Sequence, residues 1–155
     1  MNYIIREAKL EDTKTTDESL TLLIRDEKQY DKNINEKFTV EKFYKNIIKY
    51  DSNIILVAES NNKIIGYLYG YIVNNGNAYI NKISKLEAMF VLPTYRNLGV
   101  ATSLINEFKK WSIKNNIKYI EVQVLNNNTN AFNLYNKEGF KEFKSTLINE
   151  IKDIE

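Results

Sequence analysis

Short apolar runs and helical spacings alternate along the 155 residues of the chain. Tyr3 to Ala8 is a brief apolar run that predicts a first strand, and Leu10 to Asp12 opens a polar turn after it. From Asp17 to about Tyr50 the spacing is helical in two pieces. Leu20, Leu23 and Ile24 repeat at i, i+3, i+4, and Phe43, Ile47 and Ile48 do so again after a cap at Thr39, with polar residues 31–37 between them. Asn53 to Glu59 and Ile64 to Val73 read as strands joined by the polar loop Ser60 to Lys63. A second hairpin is expected at Asn74-Asn75-Gly76-Asn77, where Asn-Gly supplies the positive φ values of a type I′ turn, and the next strand then runs from about Tyr79 to Val91.

A helix follows at once, with Ala101, Leu104, Ile105, Phe108 and Trp111 on one face and Asn106, Glu107, Lys109 and Lys110 on the other. Tyr119 to Leu125 reads as a strand, Thr129 or Asn130 caps a short helix ending at Gly139, and Phe140 to about Ile151 reads as a last strand. The order βααβββαβαβ places antiparallel hairpins first and strand-helix-strand units later. It predicts an α/β fold, an α+β mixed sheet of roughly six to seven strands with helices on both faces, in a single domain over residues 1–155.

Composition narrows the chemistry more than the fold. Hydrophobic residues make up 43% of the chain and aromatics 12%, with no apolar stretch of bilayer length. The amino terminus lacks a basic region followed by a long apolar run, so a cytoplasmic protein that does not meet the membrane is expected. There is no cysteine and no histidine. Their absence excludes disulfides, thiolate and imidazole metal sites, a cysteine nucleophile and a Ser-His-Asp triad, and leaves acid-base work to carboxylate, Tyr, Lys or water. A net charge of +2 from 22 basic and 20 acidic residues offers no broad basic surface for nucleic acid.

The segment Phe90 to Ala101 runs from an apolar strand through a turn into an amphipathic helix, with the spacing Arg96-x-x-Gly99-x-Ala101. On its own it is either a plain strand-to-helix turn stopped by Pro93 or a seat for an anion. The second reading has a physical basis, because a helix starting near Gly99 aims unpaired N–H groups and its positive dipole end at the turn, and Arg96 adds a planar cation. Joined to Asn128-x-x-Ala131-x-x-x-Tyr135-x-x-x-Gly139-Phe140, this segment makes nearly the whole chain resemble a GCN5-related N-acetyltransferase (GNAT). Arg96-Asn97-Leu98-Gly99-Val100-Ala101 resembles that family's acetyl-CoA pyrophosphate loop. Asn97 stands where many members carry glycine, and Asn tolerates left-handed backbone better than most residues.

The resemblance implies acetyl-CoA (coenzyme A) as the co-substrate. It implies that the backbone of Met89, Phe90 and Val91 pairs with the pantetheine arm, so that the fourth strand splays from the fifth. It places the pyrophosphate on the amides of Arg96, Asn97, Leu98, Gly99, Val100 and Ala101, with a hydroxyl from Thr102. It brings Asn128 to the cofactor arm, although Asn128 also reads simply as a turn residue ahead of a helix. It gives Tyr135 the sulfur as proton donor, whereas helical spacing with Ala131, Leu134 and Glu138 also allows plain core packing.

Glu87 interrupts the apolar strand Leu86 to Val91. Period-two alternation puts it on the side of Met89 and Val91, where desolvation would raise its pKa and suit it to act as general base on a substrate ammonium. The alternative is a carboxylate that only accepts a hydrogen bond or binds the substrate cation. An N–H near Met89 is the expected donor to an oxyanion. The expected acceptor is a small-molecule primary amine such as a polyamine, amino acid or aminoglycoside, bound in part by Glu27, Tyr30 and Asp31. Basic residues interleave with these acids, so a solvated mixed-charge helix is the competing reading. A protein N-terminus or lysine as acceptor, and an acyl-CoA sensor without catalysis, are the alternative functions. After Phe140 no Gly or Pro turn allows two strands, so the sheet either lacks its last strand or borrows one from a second copy, which predicts a homodimer through the C-terminal strand.

Overall fold

Five apolar runs pair into one sheet because each needs a ladder partner for its backbone and a cover for each face. In the computed structural model, which describes residues 1–152, the elements are β1 Ile4–Glu7, α1 Thr13–Asp26, α2 Phe43–Ile47, β2 Asn53–Ser60, β3 Lys63–Ile72, β4 Ile83–Val91, α3 Val100–Lys114, β5 Tyr119–Val122 and α4 Thr129–Lys137. The sheet order is β1-β2-β3-β4-β5. The first three pairings are antiparallel, and the β4/β5 pairing, joined across α3, is parallel. The predicted mixed α/β order is therefore observed as far as α4.

Helices cover both faces. Leu104, Ile105 and Phe108 of α3 pack with Leu56, Leu68 and Leu86 on one side, joined by Leu134 and Tyr135 of α4. On the other side Tyr44 of α2 joins Tyr67, Tyr69, Ala88 and Phe90, with Leu20 and Leu23 of α1 against them. An ion triad ties β1 to its surroundings. Arg6 meets Asp12 at 2.7 Å and Glu59 at 2.6 Å, and its hydrogen bonds hold the Asp12 carboxyl below the usual carboxylate range.

Several boundaries differ from the sequence reading. α1 begins at Thr13 rather than Asp17, because Thr13, Thr16 and Ser19 bury their hydroxyls by bonding backward to Leu10, Thr13 and Thr15 carbonyls, a stretch without apolar periodicity. Thr39 caps nothing; Lys42, at φ 58°, precedes α2. The two-residue hairpin lies at Asn61-Asn62, both with positive φ between the paired Ser60 and Lys63. Of the central pair Asn75-Gly76 only Gly76 is left-handed, so no type I′ turn forms there, and a longer loop delays β4 to Ile83. β5 stops at Val122, short of Leu125.

The largest difference is at the C-terminus. Among the described residues no strand follows α4, so the sheet has five strands, not six to seven. Residues 141–152 are exposed and make no backbone hydrogen bond, because a strand exists only where a neighbouring backbone completes its ladder, and within one copy none does.

α3 lies close to the sheet because two glycines of β3 remove the side chains in its way. A Cβ on Gly70 would stand 2.3 Å from Phe108 Cε2 and 2.9 Å from the Lys85 carbonyl, with Phe108 itself fully buried. Gly70→Ala is therefore expected to lower the denaturant midpoint by an amount equivalent to about 1–3 kcal/mol. An unchanged midpoint in urea unfolding would contradict this packing.

Candidate active site

The pairing of β4 with β5 runs through Ile83/Tyr119, Ser84/Ile120, Lys85/Glu121 and Leu86/Val122, and ends there. At the same level the β3/β4 register slips. Tyr69 opposes Ala88 and Gly70 opposes Leu86, so Glu87 is an extra residue, a β-bulge. Bulges bend and twist a strand, and from Glu87 to Val91 the β5 side of β4 has no strand beside it. Leu92 N donates to Ile65 O on β3 at 2.9 Å, so backbone alternation turns the polar groups of Phe90 toward β3 and those of Met89 and Val91 toward the open side.

The bulge also moves Glu87. Leu86, Met89 and Val91 face the α3 side of the sheet, whereas Ala88 and Phe90 face the tyrosine side. Strict alternation had put Glu87 with Met89 and Val91; the extra residue instead puts it on the tyrosine side, where its charge bears on the Tyr69 hydroxyl. It is not desolvated as expected, since its side chain is 41% exposed and pairs with Lys85 Nζ at 3.0 Å. Burial and the neighbouring Tyr71 and Glu87 push the Tyr69 hydroxyl up to about 12. Tyr44 donates to the Tyr67 hydroxyl at 3.0 Å, and burial drives both well above the usual phenol range. This row of tyrosines was missed in the sequence reading, although Tyr67, Tyr69 and Tyr71 alternate along β3 with the period that places them on one face.

Past β4 the chain makes the turn Pro93–Tyr95 and enters α3 through two left-handed residues, Asn97 at φ 60° and Gly99 at φ 82°. Residues 96–99 are exposed. Among the described residues, the backbone N–H groups of residues 97–102 have no acceptor, while Ser103 N bonds to Gly99 O. Six unpaired donors at a helix start, with a glycine whose missing side chain leaves the turn open, fit an anionic diphosphate. Arg96 behaves differently from the sequence expectation. Its amide bonds to Pro93 O, its Nε donates to Val91 O at 2.9 Å, its Nη2 to Asp26 at 3.4 Å, and the guanidinium lies 5.3 Å from the Phe90 ring centre. The open edge of β4 leaves the Val91 carbonyl without a strand partner, and the guanidinium supplies the missing donor. Thr102 is likewise engaged, donating to Glu138 at 2.7 Å.

Across the opening, Asn128 caps α4 by accepting from Ala131 N at 3.2 Å, which leaves its amide nitrogen free among the described bonds. Tyr135 stands edge-on to Phe140 at 5.5 Å. Burial, and then the charge of Glu27, raise its hydroxyl above the usual range, so it is a phenol at neutral pH. Glu27 also bears on Tyr67, so the end of α1 brings a carboxylate between the tyrosine face and α4. Tyr30 O accepts from Asn127, which ties the same corner to the loop before α4, while Asp31 caps the turn at Asn33. Met89, Val91, Val100, Ala101 and Tyr135 thus share one apolar cluster beside the open edge of β4, and the charge of Glu27 bears on Tyr135. Glu87 sits on the tyrosine side of the sheet, Phe90 turns its ring to the core, and Val100 is buried beneath the loop.

Among the described residues no acidic cluster is arranged to hold a metal ion, and no helix is long and apolar enough to cross a membrane. Residues 18–140 match the model of the Acetyltransferase (GNAT) family. The chain is 25% identical over 138 residues to the uncharacterized N-acetyltransferase YhfO of Bacillus subtilis, with 89% of each chain covered. Its fold is similar to that of the BH1408 protein of Bacillus halodurans, solved as a tetramutant, at TM-score 0.84 and 19% identity over 96% of this chain and 99% of that one. It is also similar to the aminoglycoside N-acetyltransferase AAC(6')-Iy in complex with CoA, at TM-score 0.69 and 20% identity over 97% and 100% of the two chains.

Glu27 supplies a test of this geometry. Burial, and secondarily Asp31, raise its carboxyl from the ordinary 4.5. A folded-state value above the unfolded one means that stability is intact below the ordinary value and falls as pH climbs through the raised one. Glu27→Gln is therefore expected to raise the melting temperature at about pH 7 and to leave it nearly unchanged at about pH 4. Equal shifts at both pH values in thermal unfolding would show that Glu27 is not held in a desolvating site.

Proposed function

Because this chain belongs to the Acetyltransferase (GNAT) family, we propose that it transfers the acetyl group of acetyl-CoA directly to a primary amine of a small molecule. The observation that carries this reading is the alignment of six unpaired N–H groups at the start of α3 with the open edge of β4 at Met89 and Val91. In this reading the amides of residues 97–102 hold the pyrophosphate, and the free backbone groups of Met89 and the N–H of Val91 take the pantetheine arm as an added strand, the Val91 carbonyl being held by Arg96. Asn128 turns its spare amide nitrogen toward the same arm. When bound, acetyl-CoA supplies the thioester.

Glu87 receives the substrate ammonium in competition with Lys85 and, directly or through a water, takes its proton so that the amine becomes nucleophilic. Met89 N–H faces the position of the thioester carbonyl oxygen as hydrogen-bond donor. Tyr135, kept protonated, donates toward the leaving sulfur. With no cysteine in the chain, direct transfer needs no covalent acyl-enzyme. Glu27, Tyr30 and Asp31 supply an acidic, aromatic wall suited to a cationic amine such as a polyamine, amino acid or aminoglycoside. The similarity to an aminoglycoside N-acetyltransferase supports that class. A cytoplasmic setting and a homodimer through the C-terminal segment complete the proposal.

The test is thiol release from acetyl-CoA across a panel of polyamines, amino acids, aminoglycosides and peptides. Turnover is expected with a small amine, and Glu87→Gln and Tyr135→Phe are each expected to lower kcat/KM by about 100-fold while acetyl-CoA binding persists. Turnover confined to peptides would replace the acceptor class. Acetyl-CoA binding without turnover on any acceptor would make the protein a sensor, and full activity in both variants would remove these two residues from the mechanism.

A further inference from the structure

We infer that the end of the sheet farthest from the catalytic opening docks on an anionic lipid surface, through exposed tyrosine and isoleucine side chains set beside lysines. Three loops meet at that end: residues 48–52 before β2, residues 73–82 between β3 and β4, and residues 113–118 between α3 and β5. A line of backbone hydrogen bonds ties them together. Ile72 N donates to Ser52 O at 2.8 Å, Val73 N to Ile83 O at 2.9 Å, Lys118 N to Lys82 O at 3.0 Å and Ile117 N to Ser112 O at 3.0 Å. From β2 to β5 the patch therefore crosses three strand spacings of about 5 Å each.

Each loop carries an exposed apolar side chain next to a lysine. Before β2 the pair is Lys49-Tyr50, with the ammonium 5.3 Å from the ring centre. In the β3–β4 loop Tyr79-Ile80 precedes Lys82 by two residues. Ile113-Lys114 enters the third loop, and Lys118-Tyr119 leaves it. The three tyrosines and Ile113 are more than half exposed, and Ile80 is free of the core altogether. All four lysines are exposed, and among the described residues none is in an ion pair. Asp51 is the one carboxylate on these loops, so a chain whose charges nearly balance overall concentrates positive charge here.

The combination selects the occupant. A second copy presenting the same end is repelled by like charge. A nucleic acid uses the lysines and has no place for the isoleucines. An anionic bilayer uses both, because its headgroups take the ammonium groups while the boundary with the acyl chains takes isoleucine and the apolar body of tyrosine. The expectation that the chain does not meet a membrane rested on the lack of an apolar stretch of bilayer length, and no described helix could cross one. Docking needs no such stretch, and only the fold brings these three loops together. Met89 lies about 20 Å from Ile83 along β4, so the docked protein keeps its opening toward water and a soluble amine can reach it.

Vesicle flotation tests the contact. The native chain is expected to float with phosphatidylcholine vesicles containing about 30% phosphatidylserine, to stay behind with phosphatidylcholine alone, and to be released when salt rises from about 0.1 M to about 0.5 M. Lys82→Glu combined with Lys118→Glu is expected to weaken binding by about 25-fold or more, since each lysine near such a surface contributes roughly fivefold. Ile80→Asn is expected to weaken it about tenfold. Both variants keep the native melting curve, because the replaced side chains are exposed. Since the chain has no cysteine, a polarity-sensitive fluorophore on Ile80→Cys is expected to shift its emission to the blue with anionic vesicles, and the same label on Leu98→Cys, past the far end of β4, to stay unshifted. Equal binding to neutral vesicles, no binding to anionic ones, binding unchanged in both variants, or a shift at Leu98→Cys alone would each overturn the proposal. Binding of single-stranded RNA that the lysine variant loses, without vesicle binding, would overturn it in favour of nucleic acid.

Discussion

The parallel ladder between β4 and β5 stops at Leu86/Val122, and the bulge at Glu87 is the constraint on which the rest of the structure turns. One extra residue in β4 bends the strand away from its neighbour and reverses the side on which the following residues fall. Three consequences come from that single irregularity. The backbone of Met89 and Val91 loses its partner strand, the carboxylate of Glu87 arrives beside Tyr69, and an opening forms over which Tyr135 of α4 can stand. A regular ladder would have closed the sheet and left a core without a cleft.

Around the opening, polar groups are ordered by what each can still bond. The Val91 carbonyl, orphaned by the missing strand, takes the guanidinium of Arg96, which in turn reaches Asp26 at the end of α1. Asn127 ties Tyr30 to the loop before α4. These two contacts link the acidic end of α1 to the loop before α3 on one side and to the loop before α4 on the other, so the wall proposed for the acceptor and the seat proposed for the pyrophosphate are in contact. The burial that raises Tyr67 and Tyr135 also lifts Glu27, whose charge bears on both.

Most of the element order was legible because apolar spacing is a local property. Leu104, Ile105 and Phe108 declare the buried face of α3, and β2 and β3 announce themselves as continuous apolar runs. The α3 entrance was legible as well, since Asn97 and Gly99 are among the few residue types that take left-handed backbone cheaply. Illegible were features decided by partners distant in the chain. α1 extends back to Thr13 because hydroxyls there can bond carbonyls once the helix is packed. Arg96 turns from the loop because Val91, on another element, lacks a partner. The C-terminal segment has the composition of a strand and no strand to join within one copy.

The amino-acid sequence by itself determined the succession of strands and helices, the donor-rich start of α3 and the absence of thiol and imidazole chemistry, because each depends on neighbours a few residues apart or on composition alone. Only the tertiary structure decided which side of the sheet Glu87 faces, where β4 parts from β5, and that residues 141–152 stay unpaired. Those outcomes depend on register between strands, and a slip of one residue, which leaves every local spacing intact, moves a side chain from one face of a sheet to the other.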